Sequence, residues 1–334
     1  MKTSERGRVL TLQHSSSLLR GNALGDPADR DLYCYLPPGY EESQNRYPVI
    51  YWLSGFTGSG RMMFNFDHWV EAIDRRLDRL ISAGAMPPAI CVLPDCFTRL
   101  GGSQYADSSA TGKYESYIIE ELVPFVDSTL RTKPGREHRG VTGKSSGGYG
   151  AMRLCMRHPD VFAALGSHAG DAYFAYCYLP DFPTFTMGIQ KAGGVEQFLR
   201  DFQALPKKTP EAMEVLNILA MAACYSPNPS APLGIDLPVS LPSGEIRGDV
   251  WKIWEANDPV HMAREHAAAL RSLKKIYLDA GTRDEWNLHI GARIFAARLE
   301  ELGVSYMYEE FEDTHMGINY RYDRSFTELA KVLA

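Results

Sequence analysis

GVTGKSSGGYGAMRL, residues 140–154, packs two serines among closely spaced glycines. Gly143-Lys144-Ser145-Ser146-Gly147 fits the spacing G-x-S-x-G on Ser145. Ser146 fails it, because Lys144 stands two residues before. A serine raised on a sharp strand-to-helix turn sits in a strained backbone conformation. Side chains two residues to either side would collide with that turn, so small residues are needed there. The flanks agree: HRGVTG (138–143) reads as a short strand and GGYGAMRLCMRHP (147–159) as a helix. A helix start at this point offers backbone N–H groups and a positive dipole end to a developing oxyanion. The competing reading is a glycine-rich turn or a phosphate loop, but G-x-x-x-x-G-K-[ST] is not matched.

Around this turn, short apolar runs alternate with amphipathic segments. RVLTLQH (8–14), DRDLYCYLPPGY (29–40), YPVIYWLSG (47–55), PPAICVLPD (87–95), VFAALGSHAG (161–170), LKKIYLDAG (273–281) and VSYMYEEF (304–311) read as strands. Phe66, Trp69, Val70, Ile73, Leu77, Leu80 and Ile81 recur at helical spacing, which predicts a helix with Phe66 in its apolar face. YESYIIEELVPFVDSTL (114–130) predicts a second, kinked at Pro124. Helices follow at 286–302 and 324–334. The alternation argues an α/β fold with a mainly parallel sheet flanked by helices. Residues 171–257, rich in Pro and aromatics, read as an inserted cap or lid over the C-terminal edge of that sheet. Residues 1–170 and 258–334 then form the catalytic domain.

With 334 residues, 45% hydrophobic and 23% charged, the chain suffices for one large core plus an inserted lobe. The net charge is −6, and no basic run appears, which argues against a nucleic-acid partner. No segment reaches the roughly 18 apolar residues of a spanning helix. The first residues lack the long apolar run of a signal peptide. Six cysteines without a C-x-x-C pair or neighbouring histidines exclude zinc-type spacing and fit free thiols in a reducing compartment. The expectation is a cytoplasmic protein without membrane contact, metal or cofactor; a homodimer is compatible with the sequence.

A nucleophilic serine needs a base, and the base an orienting acid, in the chain order Ser, acid, His for this kind of turn. Of the histidines beyond the cap, His266 and His289 fall in helical patterns. His315, in FEDTHMGINY, follows a strand and precedes the last helix. The acid should lie after the preceding strand, in IYLDAGTRDEW (276–286). Asp284 is the first choice, Glu285 and Asp313 the substitutes, and Glu285 is also a candidate helix cap. One oxyanion N–H is expected from Ser146 and the other from Phe56 in LSGFTGSG (53–60). Met62 and Met63 are candidates to wall an acyl pocket. His168 reads as a cleft or packed histidine. Phe174 and Trp254 read as substrate contacts or as part of the cap's own core. Lys144 is expected to point away from the cleft.

YPVIYWLSGFTGS, GKYESYIIEELVPFVD and GKSSGGYGAM together resemble the esterase D family, which includes S-formylglutathione hydrolases, feruloyl and acetyl-xylan esterases and mycolyltransferases. The resemblance spans about residues 29–170 and 258–320. It implies an α/β-hydrolase fold and a Ser-Asp-His triad falling on Ser145, Asp284 and His315, with oxyanion donors at Phe56 and Ser146. Gly58 stands where formylglutathione hydrolases often carry a cysteine. DTHMGINYRY also differs from their His-Ser-Tyr loop. Cleavage of small-molecule carboxylic esters is therefore ranked first, thioester hydrolysis second, and a silent binding protein on the same fold third.

Overall fold

The computed structural model describes residues 6–334. The first five, where the expected catalytic domain and the stretch read as lacking a signal peptide begin, lie outside it. The described residues form one eight-stranded sheet: β1 (Arg8–Ser15), β2 (Asp29–Leu36), β3 (Val49–Leu53), β4 (Ile90–Pro94), β5 (Arg139–Lys144), β6 (Ala164–His168), β7 (Lys275–Gly281) and β8 (Met307–Phe311). Their spatial order is β1-β2-β4-β3-β5-β6-β7-β8. β1 and β2 run antiparallel to each other and β2 to β4; the other pairings are parallel. Every residue of β3, β4 and β6 is buried, as strands covered on both faces require.

Helices lie on both faces. α1 (Ile73–Ser82) and the C-terminal Tyr322–Leu333 cover one, together with Trp52, Leu93 and Tyr277. The other carries a helical segment over 114–129 and a helix at Ser146–Arg157. Among the described residues no helix is long and apolar enough to cross a membrane. All six cysteines are buried and unpaired.

One local expectation fails for an identifiable reason. The predicted helix from Phe66 starts only at Ile73. The Asp67 carboxylate accepts the Trp69 N–H at 3.1 Å, a local turn that competes with helix. Phe66 and Trp69 are 86% and 94% exposed, so Phe66 is not helix core. A π turn over Tyr117–Leu122 precedes the α-helix over Val123–Thr129, which holds Pro124 in its first turn. Widening the preceding turn accommodates the proline's missing N–H and its ring.

Residues 171–257 contribute helices at Phe174–Cys177, Phe182–Ala192, Val195–Ala204, Pro210–Tyr225 and Gly248–Glu255. Their apolar faces form a cluster that continues into the sheet end through Tyr149, Ala169, Ala280 and Leu288. Asp258 joins the two ends of the segment. Its carboxylate accepts the Tyr173 and Phe174 N–H groups at 3.0 and 2.6 Å, and that of Val260 at 2.9 Å.

Candidate active site

Strand register brings the site together. Leu53 pairs with Gly143, and Lys144 with His168, which in turn pairs with Asp279. The residues after them therefore leave the sheet along one edge. Ser145 follows β5 directly, with φ 58° and ψ −128°, and stands at the start of the helix Ser146–Arg157. A left-handed φ is costly for a residue with a Cβ. The glycines make the turn possible. A Cβ on Gly147 would overlap the Leu53 carbonyl, and one on Gly143 the Gly147 backbone. Gly55 lies against Ser145: a Cβ there would sit 3.4 Å from the serine's own.

His315 and Asp284 come from loops beyond β8 and β7. His315 Nδ1 is 2.7 Å from Asp284 Oδ2, and both side chains are buried. Asp284 Oδ1 accepts the Trp286 N–H at 2.9 Å and the Leu288 N–H at 3.3 Å, so the carboxylate is held on both oxygens. Asp284, not Glu285, thus accepts from the first residue of the helix Leu288–Glu301, whose N-cap position is Asn287. Glu285 instead accepts the backbone N–H of His315 at 2.8 Å. Asp313 is engaged by Thr314 N–H and the Tyr320 hydroxyl, away from the imidazole. The Trp286 ring meets the His315 ring edge-on at 4.9 Å.

The serine turn and the histidine loop touch through Lys144, whose Nζ lies 4.0 Å from Met316 Sδ. Burial lowers this lysine to about 8, against the pull of Asp284, Asp171 and Glu285 nearby. Lys144 therefore lies beside the site and does not point away from it. The N–H groups of Phe56 and Ser146 have no acceptor among the described residues. That of Ser146 opens a helix, where no intrahelical partner exists.

Several other expected contacts are corrected. His168 is buried, with Nδ1 2.7 Å from Asp279 Oδ1 and Nε2 2.7 Å from Ser325 Oγ; it is a packed histidine, not a cleft residue. Phe174 and Trp254 have no exposed surface; Phe174 stacks on Tyr225 and meets Tyr178 edge-on, and Trp254 meets both tyrosines edge-on. Met63 packs with the apolar cluster under α1, which contains Trp52. Phe56 faces the cap-side cluster instead. Met62 is exposed to solvent. An open cavity of about 450 Å³ is lined by Thr57, Arg30, Tyr33, Arg61, Asp95 and Arg99, without Met62 or Met63.

Sequence reading missed a buried polar cluster behind the turn. Asp171 Oδ2 accepts from Ser146 Oγ at 3.2 Å, Tyr178 OH at 2.9 Å and Gln104 Nε2 at 3.1 Å. Burial raises the Asp171 carboxyl above its usual range, opposed by these donors. The one local signal was a lone acid just after β6, in GDAYF. Among the described residues no group of three His, Cys, Asp or Glu side chains converges as a metal site.

The family described as "Putative esterase" matches residues 23–322. An endo-1,4-beta-xylanase/feruloyl esterase of Xylanibacter ruminicola is 29% identical over 143 residues, 42% of this chain and 19% of that protein. An esterase of Mycobacterium tuberculosis is 32% identical over 139 residues, 41% of this chain and 28% of that protein. The chain thus spans under a third of the length of these two relatives. A ferulic acid esterase structure superposes with a TM-score of 0.65 at 19% identity, covering 98% of this chain and 99% of that one. An S-formylglutathione hydrolase from Agrobacterium tumefaciens gives 0.58 at 17% identity, covering 100% and 98%. At such identities the likeness shows the fold, that of the α/β-hydrolase esterases. The chain belongs to the esterase family.

Proposed function

We propose that this member of the esterase family is a serine hydrolase that cleaves small-molecule carboxylic esters. Ser145 is the nucleophile, His315 the general base and acid, and Asp284 the acid that orients it. The N–H groups of Phe56 and Ser146 form the oxyanion hole. Residues 171–257 serve as a cap on a catalytic domain formed by 1–170 and 258–334.

In the first half-reaction His315 Nε2 takes the Ser145 proton as Oγ attacks the ester carbonyl. The two N–H groups stabilise the oxyanion of the tetrahedral intermediate. His315 then gives the proton to the departing alcohol, leaving an acyl-serine. Water repeats the sequence: His315 removes its proton, the acid is released, and Ser145 regains its hydrogen. Asp284 holds the imidazole in the tautomer with hydrogen on Nδ1 and stabilises its charged form.

The observation that carries this reading is the backbone of Ser145. A non-glycine residue at φ 58° survives only where its surroundings over-determine it. Here that strain raises a hydroxyl at the edge where a buried Asp–His pair also lies. The test is hydrolysis of p-nitrophenyl esters of rising acyl length beside S-formylglutathione. The reading expects the oxygen esters to have the higher kcat/KM; faster turnover of the thioester would overturn that ranking.

A further inference from the structure

Two consecutive non-glycine residues behind the serine turn, Gln104 and Tyr105, both have φ 50°. They are 0% and 2% exposed, so no solvent relieves the conformation. Strain of this kind persists when side chains on both sides are held by tight contacts. Each of these two is, and each leads to a different oxyanion donor.

Tyr105 leads to Phe56. Its hydroxyl donates to the Ser54 carbonyl at 2.6 Å, two residues before Phe56. Its ring lies on the helix Ser146–Arg157 at Gly150, where a Cβ would sink into the ring. Gly102, just before the strained pair, lies so close to Phe56 that a Cβ would come within 3.3 Å of its Cα.

Gln104 leads to Ser146. Its Nε2 donates to Asp171 Oδ2 at 3.1 Å and to Tyr225 OH at 3.0 Å. The same Asp171 oxygen accepts the Ser146 hydroxyl at 3.2 Å. Consecutive left-handed residues send the two side chains apart, one toward the β3 loop and one toward the helix start.

We infer that Gln104 and Tyr105 are positioning residues that set both arms of the oxyanion hole from one strained turn: Tyr105 through Ser54, and Gln104 through Asp171 and the Ser146 hydroxyl. The inference rests on the serine-hydrolase reading above. It explains why an acid is buried so near a site that must stabilise negative charge. The charge is spent on donors from Ser146, Gln104 and Tyr178, and it fixes the residue whose N–H faces the substrate. The other titratable groups facing Asp171 are Tyr225, Cys177, Lys144 and His315.

Gln104→Glu tests it. The amide donor becomes a second carboxylate beside Asp171, and two such acids share one proton. While the proton is held, the link to Ser146 survives; when it leaves at higher pH, two like charges push apart. With p-nitrophenyl acetate, the ratio of variant to wild-type kcat should be within about threefold of unity at pH 5.5 and fall at least tenfold by pH 8, with KM little changed. Tyr105→Phe keeps the ring on Gly150 and loses only the donor, so it tests the second arm even if the first variant does not fold. It should lower kcat about tenfold and leave KM within twofold. A flat ratio across pH, or an unchanged kcat in Tyr105→Phe, overturns the inference while the wild type remains an esterase. A wild type inert toward the ester and toward a fluorophosphonate overturns both readings together.

Discussion

The molecule holds two Asp–His pairs of nearly identical geometry. In each, Nδ1 lies 2.7 Å from a carboxylate oxygen. In the pair His168–Asp279 a serine is engaged as well: Ser325 Oγ is 2.7 Å from His168 Nε2. By hydrogen bonds alone this would be the better triad. Yet Ser325 is 0% exposed inside the last helix, and His168 and Asp279 sit on adjacent strands in the core. The candidate site is looser and more open. Ser145 is half-exposed on a strained turn, and His315 and Asp284 stand on loops. The neighbouring cations differ too. Arg321 donates to Asp279 at 2.8 Å, whereas among the described residues Lys144 Nζ finds only the Met316 sulfur as a hydrogen-bond partner, at 4.0 Å. A Ser–His–Asp chain in the core is a structural polar network. The same residue types at the sheet edge, beside a helix N-terminus, can meet a substrate. Backbone and position separate them, not side-chain chemistry.

The serines separate the two regions most sharply. Ser145→Ala should reduce kcat by about 10³-fold or more, as loss of a nucleophile does. Ser325→Ala should leave kcat unchanged and cost about 1–3 kcal/mol of stability, because it leaves a buried imidazole nitrogen without a partner. Steady-state kinetics and urea unfolding of both variants check this. An inactive but stable Ser325→Ala would dissolve the distinction.

The acids should divide the same way. Asp284→Asn should lower kcat by about 10³–10⁴-fold with little change in unfolding, since it misorients the imidazole. Asp279→Asn should do the opposite. It weakens a buried ionic cluster with His168, Tyr277 and Arg321, a loss of about 3–5 kcal/mol, while the folded fraction keeps its kcat. The attraction of His168 and hydrogen bonds from its partners hold Asp279 below the usual range in spite of burial. Similar effects from the two acids would mean that the pairs do not differ in role.

The legible parts of this chain are those where local sterics speak. Gly143 and Gly147 have no room for a side chain, so their spacing around Ser145 carries the turn into the sequence. The strand–helix alternation carries the sheet, because strands covered on both faces are mostly apolar. The order of elements brings Asp284 and His315 to neighbouring loops. What stays hidden depends on contacts between distant residues. His168, at the end of β6, reads as either a cleft or a packed histidine until its partner Ser325, 157 residues away, is seen. The apolar spacing from Phe66 to Val70 mimics a helix face, but the Asp67 turn leaves it with nothing to pack on. Gln104 and Tyr105 carry no local mark, since the partners that hold them, Ser54, Asp171 and Tyr225, are all distant in sequence.

The central claim is that Ser145, rather than any other serine, is the nucleophile. Reacting the protein with a fluorophosphonate and mapping the adduct by peptide mass spectrometry tests it most directly. The account predicts a single modification on Ser145, lost in Ser145→Ala and retained in Ser325→Ala. An adduct on Ser146 or Ser325, or no adduct at all, would contradict it.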